Sequence, residues 1–455
     1  MINLFEYQNK EKISDTFEGL EGFLDQIWNS REKNSYYSQS TENKIESQRF
    51  LQFFRESSEV KSNKYVGVIS YNGNKINLLP KIFFDSRKVY SAIEINQIQN
   101  HVLWWLSYCR KIRFPNYQTS LSNTKSDFFE ALIYLFSKYT RELLSSSIYQ
   151  QYEEVNRELA FIKGRLNTNA YINDNLSKGE WHKLNCTYDS FVFDNEFNRI
   201  IKYVSTLLFQ NTSSPDNKKN LREILFILDE VTDVRASAQQ CSKITFNPMF
   251  GEFVTVRDYC QLFLSNSVSF DYKNDLKLFA FLLPMEYVFE DFIFGFIEEE
   301  IPSISVRSQR SDTYLDEEKI FNLKPDLWIK TERRSVIADT KYKIVYNDEK
   351  DSKRGISQND LYQMLAYAVR FEVNEIILFY PNTIKHEESE ESEIIIKDAL
   401  AGGKEILIKV YQLPIINNLL LEKPLELKIS LSETFDSTRR NLIKRIEDIL
   451  LPISL

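Results

Sequence analysis

Residues 325–343 read PDLWIKTERRSVIADTKYK, and this stretch decides the fold of the C-terminal part of the chain. It consists of two short apolar runs, each with one aspartate, joined by the charged segment TERR. Short apolar and β-branched runs on either side of a polar turn predict two β-strands. If the strands pair as a hairpin, Lys330 lies opposite Ser335 and Asp326 lies opposite Asp339.

The alternation of side chains along a strand places residues that could bind a metal or act in catalysis on one face of this hairpin. Ile337, Asp339 and Lys341 share one face of the second strand. Two carboxylates, together with the main-chain carbonyl of Thr340, form a set of hard oxygen ligands that suits Mg²⁺. A lysine ammonium beside them could position or deprotonate a water, or neutralise charge at a phosphate. A solvated hairpin with ordinary charges is the alternative, since Asp-x-Lys arises by chance in a chain that is 27% charged.

Helices on either side add polar residues that could join this site. The helix before the hairpin is apolar on nearly every side and yet carries Glu290, while Glu286, one turn away, could be the exposed acid instead. A buried carboxylate is costly unless it is paired or bound to metal. In the helix after the hairpin, Gln363, Tyr367 and Arg370 fall on one face. That face could hold a DNA phosphate or a metal-bound water.

The order of predicted elements indicates a layered sheet with helices packed on it. A helix is predicted over 282–301, a strand over 313–323, the two strands of the hairpin, a helix over 359–371 and an apolar strand over 375–381. The order α-β-β-β-α-β is far more specific than any one of its motifs.

The chain as a whole predicts a multidomain α+β protein. Its 455 residues exceed one ordinary domain. Alternating residues around Asn72 and Gly73 predict a β-hairpin over 65–84, within an N-terminal β-containing domain at 1–120. Residues 121–270 are expected to be mainly helical, and residues 271–455 to form the C-terminal α/β domain.

Composition limits the partners and the compartment. A protein that only coats DNA is usually basic, whereas this chain carries 57 basic and 65 acidic residues, a net charge of −8. Acting on DNA therefore requires a metal, a local basic surface or a partner. The four cysteines form no CxxC pair, which favours a reducing, cytoplasmic setting over a zinc site or disulfides. The sequence contains no run of 18 apolar residues, so no membrane-spanning segment is predicted.

The spacing of PD, twelve residues and then DTK, with a helical glutamate upstream and QMLAY downstream, resembles the PD-(D/E)xK nucleases, which have a restriction-endonuclease-like fold. The chain more closely resembles the McrC family, the nuclease subunits of McrBC-type modification-dependent restriction systems. The likeness extends over roughly residues 60–380. The segments that carry it are YVGVISYNGNKINLLPKI (65–82), FIKGRLN (161–167), YDSFVFDNEFNRIIKY (188–203) and LLPMEYVFEDFI (282–293).

The resemblance implies a role for each matching residue. Asp326 and Asp339 would bind Mg²⁺, Lys341 would be the catalytic lysine, and Glu290 would be the helical acid of the family. Gln363 and Tyr367 would be the supporting helix motif.

The resemblance also implies a partner, an McrB-like AAA+ GTPase ring that recognises methylated double-stranded DNA. The N-terminal domain would contact the ring and stimulate its GTPase. GTP would be used by the partner, because the nearest phosphate-loop candidate here, AGGKEIL at 401–407, lacks the first Gly and the Ser/Thr.

The expected function is a Mg²⁺-dependent DNA endonuclease subunit of a GTP-driven restriction complex. Two alternatives stay open, a non-catalytic adaptor of an AAA+ ring and a stand-alone PD-(D/E)xK repair nuclease. Lys163 and Arg165 could touch DNA or a partner, or could be exposed charges of a turn, so they receive no role.

Overall fold

The computed structural model describes most of the chain in segments, with gaps between them. The described residues are 2–13, 19–22, 24, 50–54, 56–71, 74–110, 128–271, 277–308, 313–331, 335–345, 351–353, 355–385, 390–398, 404–421 and 431–451. The expected turns at Asn72–Gly73 and at 332–334 lie outside them. Contacts divide the chain into two compact units, Met1–Leu132 with Ser265–Leu455, and Ile133–Leu264. The three-domain division at 120 and 270 stays a prediction.

The strands and helices follow one another in a mixed α/β order. In chain order the strands are β1 (Ile2–Phe5), β2 (Lys10–Lys12), β3 (Leu51–Phe54), β4 (Glu59–Ser62), β5 (Tyr65–Tyr71), β6 (Asn74–Leu79), β7 (Gln151–Leu159), β8 (Arg165–Leu166), β9 (Leu184–Val192), β10 (Ser267–Asp271), β11 (Lys277–Pro284), β12 (Ser305–Ser308), β13 (Thr313–Tyr314), β14 (Asn322–Leu323), β15 (Leu327–Lys330), β16 (Ser335–Thr340), β17 (Glu375–Pro381), β18 (Glu391–Asp398) and β19 (Lys404–Leu413). The helices are α1 (Ala92–Tyr108), α2 (Phe128–Ser146), α3 (Glu196–Asn211), α4 (Pro215–Ile227), α5 (Ala238–Lys243), α6 (Phe253–Asn266), α7 (Met285–Glu300), α8 (Gln358–Phe371), α9 (Asn418–Leu421), α10 (Leu431–Thr434) and α11 (Asp436–Leu450). Short helical turns lie at Lys81–Phe83, Thr168–Ala170, Tyr171–Asn175, Leu176–Lys178 and Pro248–Phe250.

An N-terminal sheet with the order β1-β6-β5-β11-β10 forms one part of the first unit. The predicted pairing within residues 65–84 is confirmed, because β5 and β6 are antiparallel with Gly67 opposite Leu78. The helix expected over 282–301 begins later than predicted. Leu282, Leu283 and Pro284 pair with β5 instead, and α7 starts at Met285 with Pro284 as its N-cap. The apolar run at 278–283 is compatible with a buried strand and with a helix, so its periodicity could not distinguish between them.

The second sheet of this unit has the order β12-β15-β16-β17-β19-β18. The central strands β16, β17 and β19 are parallel, and β15 is antiparallel to β16. Helix α8 packs on the face that carries Ile337, in a core that includes Met364 and Ile376.

The prediction of a core strand over 313–323 is wrong. That position in the sheet belongs to β12, which pairs with β15, while β13 and β14 form a separate two-stranded sheet among the described residues. The cause is a tight turn, because the Asp316 carboxylate accepts hydrogen bonds from the N–H groups of Ile320 at 3.0 Å and Phe321 at 2.8 Å. A side chain that satisfies nearby main-chain donors in this way competes with strand pairing.

Helices α1 and α7 approach each other closely at Gly295. A Cβ atom at this position would lie 1.8 Å from the carbonyl oxygen of Tyr108, the last residue of α1. The Tyr108 hydroxyl also donates a 2.7 Å hydrogen bond to Glu300 at the end of α7. The N-terminal elements are thereby fixed against the helix that carries Glu290.

Gly295→Ala is expected to destabilise the protein, because the two helices must separate to accept one methyl group. Overpacking of this kind costs about 1–3 kcal/mol. Urea unfolding of the full chain measures the loss. Gly251→Ala is the matched control. Neither Gly251 nor Gly295 has a positive φ angle, and a Cβ atom at Gly251 would lie 3.3 Å from its nearest neighbour, a carbonyl oxygen. Equal stability of the two variants would contradict the close approach.

The second unit combines helices with a small sheet of order β7-β9-β8. It contains most of the region expected to be mainly helical, and the nine-residue strands β7 and β9 are the part that this expectation left out. The four cysteines of the chain all lie in its described parts, where they are buried and form no disulfide. In the described parts of the chain, no helix is both long and apolar enough to cross a membrane.

Candidate active site

The hairpin of β15 and β16 has the register predicted from the sequence. Lys330 pairs with Ser335, and the pairing continues to Leu327 opposite Ala338. Asp326 lies just before β15 and turns its carboxylate toward the end of β16. Its Oδ2 atom accepts hydrogen bonds from both the N–H and the hydroxyl of Thr340, each at 2.8 Å. The two donors fix the orientation of the Asp326 carboxylate.

Asp339 is a fully buried carboxylate with an unused oxygen. Its exposed fraction is 0%, and Oδ1 has no hydrogen-bond partner within the described segments. Burial, and next the charge of Asp326, raise the pKa of Asp339 to about 7. A carboxylate in this state is costly for the fold. A cation between the two aspartates would offset that cost.

Lys341 supplies the positive charge at this place. It forms an ion pair with Asp339, and its Nζ donates a 3.0 Å hydrogen bond to Oε1 of Gln363. Its main-chain N–H bonds to the carbonyl of Phe379 on the neighbouring strand at 2.8 Å. Burial acts to lower the pKa of Lys341, but the charges of Asp339 and Asp326 outweigh it and the pKa is raised. The arrangement therefore favours a protonated lysine that neutralises charge over one that removes a proton.

Helix α8 contributes Gln363 and Tyr367, one turn apart. Gln363 Nε2 donates to the Tyr367 hydroxyl at 2.7 Å, and that hydroxyl donates to the carbonyl of Lys324 at 3.0 Å. Tyr367 is buried, and burial followed by the Asp339 charge raises the pKa of its hydroxyl. The chain of hydrogen bonds holds Lys341 from the side of the helix.

Arg370 does not join the site, although the helical stripe suggested it. Its Nε donates a 2.6 Å hydrogen bond to the carbonyl of Tyr314 on β13. The hairpin of β13 and β14 that receives this bond was not predicted from the sequence, so the use of Arg370 could not be predicted either.

Glu290 of α7 is buried, as the sequence favoured, and so is its neighbour Asp291, whereas Glu286 is exposed. The charge of Glu290 is among the influences that raise the pKa of Asp339 and of Tyr367, after burial in both cases. The structure thus brings the whole predicted set together at one end of β16. These residues are Glu290, Asp326, Asp339, Thr340, Lys341, Gln363 and Tyr367. Their roles stay predictions.

The residues present suit a metal held by few protein ligands. Within the described ranges, no three or more Asp, Glu, His or Cys side chains converge closely enough to hold a metal ion. Mg²⁺ commonly uses only one or two carboxylates and keeps several waters. Asp326 and the unpartnered oxygen of Asp339 are such a pair.

An anchoring pair beside the site was missed by sequence reasoning. Lys343 Nζ contacts both carboxylate oxygens of Asp360 at 2.8 Å, and the Tyr380 hydroxyl donates to the same carboxylate at 3.2 Å. These contacts fix the first turn of α8 to β17 and the end of β16, and hence the position of Gln363. Alternation along an extended strand would place Lys343 on the face of Asp339 and Lys341, which is the signal that could have drawn attention to it, although β16 ends at Thr340.

A family comparison covers the whole of this site. The family described as McrBC 5-methylcytosine restriction system component matches residues 60–381, well over half of the chain. The chain belongs to the McrBC family. The matched range begins in β4 and ends with β17, so every candidate site residue named above lies within it.

Comparison with solved structures gives the same McrBC fold. A chain of the refined half-complex from the tetradecameric assembly of Thermococcus gammatolerans McrB AAA+ hexamers with bound McrC aligns with a TM-score of 0.63 and 16% identity, covering 98% of this chain and 99% of that chain. A chain of the Thermococcus gammatolerans McrBC complex aligns with a TM-score of 0.49 and 20% identity, covering 66% and 87% of the two chains. No curated protein matches the sequence. The first alignment shows a common fold over almost all of both chains.

Proposed function

We propose that this chain is the Mg²⁺-dependent DNA endonuclease subunit of a GTP-driven, modification-dependent restriction complex, and that the C-terminal sheet is its PD-(D/E)xK domain. The observation that carries the proposal is the Asp339 carboxylate. It is buried, the nearby charge of Asp326 helps to raise its pKa, its Oδ1 atom has no hydrogen-bond partner among the described residues, and it is paired with Lys341. A hairpin with a purely structural role does not need a buried carboxylate beside a second carboxylate and a lysine, whereas a metal-dependent phosphodiesterase needs these groups to bind its metal and neutralise charge.

The proposed reaction is hydrolysis of a DNA phosphodiester. Water attacks phosphorus and releases a proton to the solvent, a new P–O bond forms, the bond to the leaving oxygen breaks, and that oxygen takes a proton from the solvent. Mg²⁺ at Asp326 and Asp339 would stabilise the developing charge and lower the pKa of a bound water. Lys341 stays protonated and neutralises charge on the phosphate. Gln363 keeps its ammonium group in place through the 3.0 Å hydrogen bond.

A partner supplies GTP hydrolysis and the recognition of modified DNA. Support comes from the Thermococcus gammatolerans half-complex, which contains McrB AAA+ hexamers with bound McrC. The net charge of −8 also supports a partner, because a chain with this charge is a poor DNA-binding protein by itself. In the proposed complex an McrB-like ring binds this chain, and this chain stimulates its GTPase and cuts the DNA.

Co-expression with the product of the neighbouring reading frame, which is first tested for the properties of an AAA+ ring, provides the test. The purified complex is expected to cut methylated DNA when Mg²⁺ and GTP are both present, and to leave unmodified DNA intact. GTPase stimulation without any nicking would identify a non-catalytic adaptor. Robust cleavage by this chain alone without a nucleotide would identify a stand-alone nuclease. Either of the last two results would overturn the proposal.

A further inference from the structure

Tyr342, the residue after Lys341, is buried at the centre of a tight turn. Its exposed fraction is 3%, and the carbonyl of Lys341 accepts a 2.9 Å hydrogen bond from the N–H of Lys343. A three-residue turn of this kind leaves its central residue little conformational freedom. The contacts that hold the Tyr342 side chain therefore also fix the main chain of the preceding residue, Lys341.

The Tyr342 ring packs between two other elements of the first unit. The Lys81 ammonium lies 4.6 Å from the ring centroid, within the range of a cation–π contact. The Phe289 ring centroid lies 6.0 Å away on the other element. Lys81 belongs to the short turn after β6 of the N-terminal sheet, and Phe289 directly precedes Glu290 on α7. One aromatic ring thus touches the N-terminal sheet and the helix of the predicted acid.

Glu6 completes this cluster from the end of β1. It is 1% exposed, its Oε2 accepts a 3.2 Å hydrogen bond from the N–H of Lys81, and its own N–H bonds to the carbonyl of Leu79 at 2.9 Å. Burial, and next the charge of Glu6, raise the pKa of Tyr342. A buried carboxylate is costly to retain. The proposed hydrolysis gives Glu6 no chemical step, so its cost needs another explanation.

We infer that Glu6, Lys81 and Tyr342 form a buried connection through which the N-terminal sheet positions Lys341 and Glu290 for cleavage. All three are positioning residues, and the role rests on the proposed function. Contacts beside the cluster join the same two parts of the unit. The N–H of Ile384 donates to the carbonyl of Ile82 at 3.1 Å, and the next residue, Lys385, lies 3.9 Å from Asp85.

Single-turnover cleavage by the full complex tests this positioning. Glu6→Ala and Tyr342→Leu are each expected to slow the cleavage step on the order of 10-fold or more, because small displacements of a catalytic group carry large rate losses. DNA affinity and GTP hydrolysis by the partner should be unchanged. The double variant should be no slower than the slower single variant, since both break one connection. Glu6→Gln, which keeps the shape and the hydrogen-bond acceptor, should restore most of the rate.

Val60→Ala is the control for a loss of stability alone. Val60 on β4 is fully buried in a hydrophobic core that also takes in residues of the N-terminal sheet but does not include Tyr342. It should lower the unfolding midpoint without slowing cleavage. Wild-type rates in Glu6→Ala and Tyr342→Leu would overturn the inference, and so would equal slowing by Val60→Ala. A wild-type complex that cuts nothing would instead reject the proposed function, and the inference with it.

Amide hydrogen exchange provides a second measurement that needs no activity. In the full chain, Glu6→Ala should speed the exchange of residues 339–345 and leave α8 unchanged, because the connection ends at the segment after β16 that carries Lys341. Val60→Ala should not change exchange in this segment. Unchanged protection of residues 339–345 in Glu6→Ala would overturn the positioning role.

Discussion

Replacing Asp339 with asparagine is expected to abolish DNA cleavage by the reconstituted complex while the partner continues to hydrolyse GTP. The neutral amide keeps the shape of the side chain but loses the charge that would hold Mg²⁺. Metal-based charge stabilisation is worth several kcal/mol, so the rate should fall by about 10³-fold or more. Gel assays of plasmid cleavage, with GTP release followed in the same reactions, measure both quantities.

Asp448→Asn is the matched control for this substitution. Asp448 is an exposed aspartate of α11, and its replacement should change neither cleavage nor GTP hydrolysis. Wild-type cleavage by Asp339→Asn would reject the assignment of Asp339. Loss of GTP hydrolysis together with cleavage would show that the variant fails to assemble with its partner.

The same substitution is expected to change how stability depends on pH when divalent metal is removed by a chelator. The folded-state pKa of Asp339 is raised to about 7, above the usual aspartate value of 3.8. Between these two values the folded state binds a proton that the unfolded state has released, so this group lowers stability as the pH rises from about 4 to 7. Asp339→Asn should therefore lose less stability than the wild type over this window in thermal unfolding. Identical pH profiles of the two proteins would contradict the burial argument.

Replacing Lys341 with methionine is the second change for which we expect a very large loss of cleavage. Methionine keeps the length of the side chain and removes its positive charge. It leaves the phosphate charge unneutralised, and the rate should fall by about 10²-fold or more. Metal binding should persist, because both aspartates remain and a competing cation is gone.

Lys330→Met is the control for Lys341→Met. Lys330 is exposed at the far end of β15, where it lies opposite Ser335 of β16 and Ser305 of β12 in the sheet register. Its replacement should leave the single-turnover rate unchanged. Calorimetric titration with Mn²⁺ separates the two effects of Lys341→Met. Lost metal binding, or cleavage at the wild-type rate, would contradict the role given to this lysine.

The hairpin and the helical stripe of Gln363 and Tyr367 could be predicted because both depend on local periodicity. Alternation along β15 and β16 fixed which residues face each other, and the register agreed down to Lys330 opposite Ser335. Burial of Glu290 followed from its place on an apolar helix, although the same helix also buries Asp291, which the sequence did not single out. These inferences need no knowledge of distant segments.

The elements that could not be predicted depend on contacts between distant parts of the chain. Strand β11 pairs with β5, some 200 residues earlier, and nothing in its apolar sequence distinguishes such a strand from the first turn of a helix. The Asp316 turn displaced the expected core strand through two side-chain hydrogen bonds. Glu6 and Tyr342 look unremarkable in sequence, and only the packing of the N-terminal sheet brings them together.

Metal-directed cleavage of the polypeptide tests the central claim most directly, because it needs neither partner nor DNA. Fe²⁺ bound in place of Mg²⁺ generates hydroxyl radicals with ascorbate and peroxide, and these cut the chain next to the metal. Fragments ending near residue 326 and near residues 339–341 are expected, with suppression by excess Mg²⁺ and loss of both cuts in Asp339→Asn. Cuts confined to other parts of the chain, or the same cuts persisting in Asp339→Asn, would contradict a metal site at the two aspartates.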